Sequence, residues 1–126
     1  MTDQALHRTA DVIIIDDDSA SARIVSTFLE RNGYVVVTEG NAFAGLNAVR
    51  RHRPKVVLLD IQMPGMDGIT ATGMVKSYAP AAHVVLMSGY REDLGRAGRE
   101  ALGAFAILEK PLPLNALLDF VRGAVA

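Results

Sequence analysis

Five polar side chains follow short apolar runs of this sequence, and together they have the composition of a site for a cation and an anion. Asp16 and Asp17 follow the first run, Asp60 follows another, and Ser88 and Lys110 follow the last two. If their runs are neighbours, the three carboxylates repel one another by several kcal/mol and need a cation. Mg²⁺ is held by carboxylate oxygens and water, and hydroxyl and ammonium groups bind phosphoryl oxygens. The set predicts a phosphoryl site with Mg²⁺ beside it.

The apolar runs are predicted to be strands of a parallel sheet. They are short and rich in β-branched residues, and they lie at 12–15, 34–37, 56–59, 84–87 and 104–108. Helical periodicity follows at 20–29, 42–49, 69–75 and 114–125, with a weaker helix over 92–101 that contains Gly95 and Gly98. This alternation predicts an α/β fold, a doubly wound five-stranded parallel sheet with helices on both faces. Ligands of such sheets bind beyond the carboxyl ends of the strands.

Composition narrows the class of protein. The 126 residues fit one domain, which we expect over 11–126 after a flexible N-terminal tail at 1–10. Thirteen basic and 14 acidic residues give a net charge of -1 and a pI of about 6.3, which argues against direct DNA binding. Cysteine is absent from the sequence and no apolar run is long enough for a membrane span. We therefore expect a soluble cytoplasmic protein without membrane contact.

These motifs resemble the receiver domain of two-component response regulators, including the single-domain chemotaxis regulators. The resemblance covers about residues 11–126. It rests on Asp16-Asp17, on Leu-Asp-Ile-Gln-Met-Pro-Gly-Met-Asp-Gly around Asp60, on Met-Ser-Gly around Ser88, and on Lys110-Pro111. It implies the flavodoxin-like strand order 2-1-3-4-5 and a cis Lys110-Pro111 peptide bond.

The resemblance also implies a role for each acidic residue. Asp60 would be the nucleophile that accepts a phosphoryl group from a phosphohistidine on a sensor histidine kinase or a histidine phosphotransfer protein. Asp16, Asp17 and Asp60, with the backbone carbonyl of Gln62, would be the protein ligands of Mg²⁺. Such a chain catalyses only its own phosphorylation and dephosphorylation, and it is not an enzyme that turns over a metabolite.

A second group of residues is implied to bind or shield the phosphoryl group. Lys110 would pair with one phosphoryl oxygen, and Ser88 would move to donate its hydroxyl to another. That movement carries the signal to the fourth helix and switches a surface that binds a downstream target protein; a phosphorylation-dependent dimer is also allowed. Gly89 would leave room for the phosphoryl group. Tyr90 is at a position that flanks the path of the attacking water; it either lies across the phosphoryl group and slows its hydrolysis or points into solvent. Ile107 stands where receivers commonly have Tyr or Phe, which puts aromatic gating in doubt.

Two other functions stay open at the level of sequence. Asp16 and Asp18 after a hydrophobic strand resemble the motif of haloacid dehalogenase phosphatases, although Ala20 stands where that family has Thr or Val. A receiver-like scaffold that signals without phosphorylation is the third hypothesis, which the intact acidic set disfavours. Any single aspartate of the three at 16–18 also suits the cap of the helix that follows.

Overall fold

Strands and helices alternate along the chain in the computed structural model, which describes residues 9–101 and 103–126. The described residues form strands β1 (Val12–Ile15), β2 (Val36–Glu39), β3 (Val56–Asp60), β4 (His83–Ser88) and β5 (Ala104–Glu109). They form helices α1 (Ser19–Arg31), α2 (Ala42–His52), α3 (Gly68–Tyr78), α4 (Arg91–Glu100) and α5 (Leu114–Val125). Within these ranges no helix is long and apolar enough to cross a membrane.

The five strands form one parallel sheet in the order β2-β1-β3-β4-β5. This confirms the predicted fold class and strand order. β1 lies between β2 and β3, and in its register with β3 Val12 faces Val56 and Ile15 faces Leu59. The carboxyl ends of β1 and β3 are therefore side by side, and they bring the residues that follow Ile15 and Leu59 to the same place.

Side chains of the sheet alternate between two apolar layers, as the period of a β-strand requires. Ile13, Ile15, Val57 and Leu59 face a layer covered by α2, α3 and α4. The intervening residues of β1 and β3 face a layer covered by α1 and α5, and those helices contribute Ala22, Val25, Leu29, Leu117, Leu118 and Val121. β1 and β3 are covered on both faces. For this reason all of their residues are apolar and fully buried, except Asp60 at the end of β3.

The structure corrects some predicted boundaries. β2 begins at Val36, two residues later than predicted, because Val35 is 55% exposed and its carbonyl accepts the N–H groups of Asp11 and Val12 ahead of the regular ladder. The weakly predicted helix α4 is present in spite of its two glycines. The predicted flexible tail falls mostly on residues 1–8, outside the described residues. Its last two residues pack on the domain: Ala10 is buried and the Thr9 hydroxyl contacts the His52 ring.

Gly68, the first residue of α3, lets this helix approach the end of β3 closely. A Cβ on Gly68 would lie 2.3 Å from the backbone oxygen of Asp60 and 2.7 Å from Cα of Ile61. The Gly68 N–H donates to the Ile61 carbonyl at 2.9 Å. Backbone atoms cannot move aside as a flexible side chain can, so any side chain at this position would displace either α3 or the strand end that carries Asp60.

We predict that Gly68→Ala lowers the free energy of unfolding by about 1–3 kcal/mol, because it overpacks the contact between α3 and β3. Urea denaturation measures the change. The matched control is Gly73→Ala in the same helix, where an added Cβ meets no atom within 4 Å. There alanine is expected to raise the stability by up to about 1 kcal/mol through its helix propensity. Equal effects of the two substitutions would contradict the close approach.

Candidate functional site

Three carboxylates meet at the carboxyl ends of β1 and β3. Asp16, Asp17 and Asp60 each offer an oxygen, and these oxygens lie within 4.8 Å of one another. Asp16 and Asp60 are buried, at 3% and 6% exposure, and Asp17 is exposed. At such separations each pair of charges repels by about 3 kcal/mol at an effective dielectric constant of about 20. The cluster needs a positive group within contact distance.

Lys110 supplies a positive charge from the end of β5. Its Nζ lies 2.8 Å from Oδ2 of Asp16 and 3.1 Å from Oδ2 of Asp60. The other oxygen of each carboxylate accepts a backbone N–H: Asp18 donates to Asp16 at 2.9 Å, and Gln62 donates to Asp60 at 3.1 Å. One oxygen of each carboxylate is thus held by its own loop, while the other faces the ammonium group. The Lys110-Pro111 bond beside it is cis, as predicted.

The environment of Asp60 raises the pKa of its carboxyl group. Burial raises the pKa of this carboxyl, and the hydrogen bond with Asp16 raises it further, to about 6. The contacts with Lys110 act in the opposite direction without cancelling this rise. For Lys110, burial lowers the pKa, but its hydrogen bonds and charge interactions with Asp16 and Asp60 together outweigh burial, and the net pKa is raised. The lysine is therefore the permanent charge of the site, and Asp60 is the group whose charge depends on what binds.

A cavity of about 460 Å³ opens over these groups. It is lined by Asp17, Asp18, Asp60, Gln62, Ser88, Gly89, Tyr90 and Lys110. The structure therefore brings most of the predicted site residues to one cavity, and Asp16 joins them through Lys110. Tyr90 lines the cavity although the residue is 61% exposed, whereas Ile107 is not among the lining residues and packs with the layer under α2, α3 and α4. A Cβ at Gly89 would meet no atom within 4 Å, which leaves space there for a ligand.

Asp18 and Asp67 serve as helix caps. Oδ1 of Asp18 accepts the N–H of Ser21 at the start of α1, and Oδ1 of Asp67 accepts the N–H of Ile69 at 2.7 Å at the start of α3. Each bond satisfies one of the backbone donors that a helix leaves free at its first turn. For Asp18, capping accounts for the side chain without a catalytic role.

Two residues that contact this region were not singled out from the sequence. Asp93 of α4 is buried and accepts the hydroxyl proton of Ser88 at 3.1 Å, and Arg96 lies 3.6 Å from Asp93 and 2.8 Å from Asp67. Their spacing indicates only weakly that they interact: Asp93 and Arg96 are three residues apart and share one face of α4. The partner residues lie on other elements, so the pairing itself could not be read from local sequence.

The donor set fits Mg²⁺. Carboxylate and carbonyl oxygens are the ligands that this hard cation takes in proteins, usually with several waters retained. Asp17 and Gln62 are exposed and line the cavity, so a hydrated ion can reach the carboxylates. Asp16, Asp17, Asp60 and the carbonyl of Gln62 would hold the ion, and the repulsion among the carboxylates would favour its binding.

Residues 12–122 match the response regulator receiver domain family. The chain belongs to this family. It is 30% identical over 112 residues to sporulation initiation phosphotransferase F of Bacillus subtilis, covering 88% of this chain and 90% of the relative. It is 37% identical over 102 residues to a protein-glutamate methylesterase/protein-glutamine glutaminase of Natronomonas pharaonis, covering 79% of this chain but only 28% of that protein.

Solved structures support the same assignment. A CheY-like response regulator receiver domain protein from Methanospirillum hungatei superposes with a TM-score of 0.80 at 25% identity, over 92% of this chain and 93% of that one. This receiver domain of two-component systems is thus homologous to phosphorylatable response regulators, a class that binds Mg²⁺ at an acidic pocket and interacts with histidine kinases and downstream effectors. The alternative of a haloacid dehalogenase phosphatase is not supported, because the chain matches the receiver domain family and Asp18 caps a helix.

We predict that metal-free protein loses stability as the pH rises from about 4 to about 6. The pKa of Asp60 is about 6 in the folded state and near 3.9 in the unfolded state, so the folded state binds this proton more tightly. The associated stability is complete below pH 4 and lost above pH 6, and it amounts to about 1–3 kcal/mol. Urea denaturation in EDTA across this range, compared with Asp60→Asn, isolates the contribution. Parallel stability curves for the two proteins would contradict the raised pKa.

Proposed function

We propose that Asp60 is the phosphoryl acceptor of this receiver domain and that Asp16, Asp17, Gln62, Lys110 and Ser88 form the rest of its site. The observation that carries the proposal is the contact of Lys110 Nζ with Oδ2 of both Asp60 and Asp16 in an open cavity. A fixed ammonium group beside a carboxylate nucleophile is placed to pair with an oxygen of the incoming phosphoryl group. The name of the Bacillus relative, a phosphotransferase, supports the same chemistry.

In the proposed reaction a carboxylate oxygen of Asp60 attacks the phosphorus of a phosphohistidine. A phosphorus–oxygen bond forms as the phosphorus–nitrogen bond breaks, and the imidazole leaves with the electron pair and takes up a proton from solvent. Lys110 then exchanges its contact with Asp60 for one with a phosphoryl oxygen, and the Ser88 hydroxyl donates to another. Mg²⁺, when bound, supplies charge neutralisation at the transferred group.

The donor is proposed to be a sensor histidine kinase or a histidine phosphotransfer protein, and the output is a change in the surface that binds a downstream protein. We propose that the receiver domain spans residues 11–126 and that it catalyses only its own phosphorylation and dephosphorylation. Cytoplasmic location, the lack of direct DNA binding and a phosphorylation-dependent dimer stay predictions. The relative from Natronomonas pharaonis is named as a methylesterase, but this chain aligns with only 28% of the length of that protein.

We predict that acetyl phosphate with Mg²⁺ adds one phosphoryl group to the protein and that Asp60→Asn abolishes the addition. Intact-protein mass spectrometry measures the added mass, and EDTA is expected to stop the reaction. The control Asp119→Asn changes an exposed carboxylate on α5 and should leave phosphorylation at the wild-type level. Phosphorylation that persists in Asp60→Asn would refute the assignment, and an unmodified wild-type protein would favour a scaffold that signals without phosphorylation.

We predict that Tyr90→Ala shortens the lifetime of the phosphorylated state several-fold. Tyr90 lines the cavity beside Gly89 and has the largest side chain among the lining residues, so its ring is proposed to exclude the hydrolytic water. The loss of phosphate is followed by mass spectrometry after removal of the donor. Tyr78→Ala, at the far end of α3, is the control with the same loss of a ring. Identical half-lives for Tyr90→Ala and wild type would show that Tyr90 does not shield the site.

A further inference from the structure

The Ser88 hydroxyl is bonded to α4 in this structure. Ser88 is 1% exposed, its Oγ donates to Oδ2 of Asp93 at 3.1 Å, and it accepts the N–H of Tyr90 at 3.0 Å. A hydroxyl carries a single proton. The proton that Ser88 could donate to an anion beside Asp60 is therefore already committed to Asp93, although Ser88 lines the same cavity as Asp60 and Lys110.

Asp93 is held in place by a contact that does not involve Ser88. Its other oxygen, Oδ1, lies 3.6 Å from the guanidinium of Arg96, which in turn lies 2.8 Å from Oδ2 of Asp67. Asp67 is fixed as the cap of α3 by its bond to the Ile69 N–H. The carboxylate of Asp93 thus has an anchor on α4 and, through Arg96, on α3. The Ser88 hydroxyl can leave this chain of contacts by rotation about the Cα–Cβ bond of Ser88.

Attraction to the helix dipole does not account for this position of Asp93. Glu92 is also acidic and also in the first turn of α4, where the dipole favours a negative charge. Glu92 is exposed, whereas Asp93 is 7% exposed and contacts Ser88. Burying a carboxylate is unfavourable unless it is hydrogen-bonded, so the burial of Asp93 depends on the Ser88 and Arg96 contacts.

We propose that Asp93 is a positioning residue that retains the Ser88 hydroxyl on α4 and thereby opposes its engagement with a phosphoryl group on Asp60. The proposal rests on the proposed function, in which Ser88 donates to that group. When Ser88 turns to the phosphoryl oxygen, Asp93 loses a hydrogen bond while still buried, which opposes the switch. Once Ser88 has turned, α4 has lost its side-chain bond to the end of β4, which provides a route by which phosphorylation reaches that helix.

The test measures the affinity of the full chain for beryllofluoride, a phosphoryl analogue, in saturating Mg²⁺ by fluorine NMR. Asp93→Ala is expected to bind it about tenfold more tightly than wild type, the size of effect that loss of a competing charge-assisted hydrogen bond produces. Glu92→Ala removes an equal charge one position away and is expected to bind as wild type does. In a Ser88→Ala background, which lacks the hydroxyl, Asp93→Ala is expected to have no effect. Mg²⁺ affinity should be the same in wild type and Asp93→Ala.

Each outcome decides between distinct conclusions. An unchanged affinity in Asp93→Ala, or an equal gain with and without Ser88, would overturn the positioning role and leave the proposed function intact. A wild-type protein that neither binds beryllofluoride nor takes a phosphoryl group on Asp60 would overturn the proposed function and this inference with it. If Asp93→Ala loses its far-ultraviolet helical signal, Asp93→Asn replaces it. Its amide oxygen is a weaker acceptor, so about a threefold gain that again depends on Ser88 is expected.

Discussion

The site depends on the mutual repulsion of three carboxylates and on the single ammonium group that offsets part of it. Asp16, Asp17 and Asp60 are too close to be stable together without positive charge, and Lys110 contacts two of them directly. One lysine cannot balance three carboxylates. The residual negative charge favours a divalent cation. The pKa of Asp60 is raised mainly by burial and further by its hydrogen bond with Asp16, so desolvation and the neighbouring carboxylate both make this group sensitive to pH.

The scaffold holds these charges together through its most buried parts. β1 and β3 are apolar along their length and covered on both faces, so their ends cannot drift apart without opening the core. α3 is pressed against the backbone of Asp60 because its first residue is a glycine. Free energy from apolar burial, spread over the whole sheet, thus offsets the local cost of crowding like charges at its edge.

Acidic residues around the site have different roles because their surroundings differ. Asp18 and Asp67 satisfy helix N-termini, Asp60 faces the cavity and Lys110, and Asp93 is turned toward Ser88 and Arg96. The contacts from Ser88 through Asp93 and Arg96 to Asp67 join the ends of β4, α4 and α3. Ser88 belongs both to this chain of contacts and to the lining of the cavity that contains Asp60, so the proposed switch connects a charge on Asp60 to α4.

Local sequence determined the element types, the fold class and the set of polar residues that end the strands. β-branched runs and helical periodicity can be read from short segments of sequence, and a sheet that is buried on both faces requires these patterns. The resemblance to receiver domains was enough to select Asp60 and Lys110, among the charged residues, as site residues. Tertiary structure decided which of these groups touch. Lys110 contacts Asp16 across 94 positions of chain, and the Ser88 hydroxyl donates to Asp93 although Ser88 lines the same cavity as Asp60. It also decided that Val35 lies outside β2 and that Gly68 admits no side chain, since both depend on neighbours brought near only by the folded sheet.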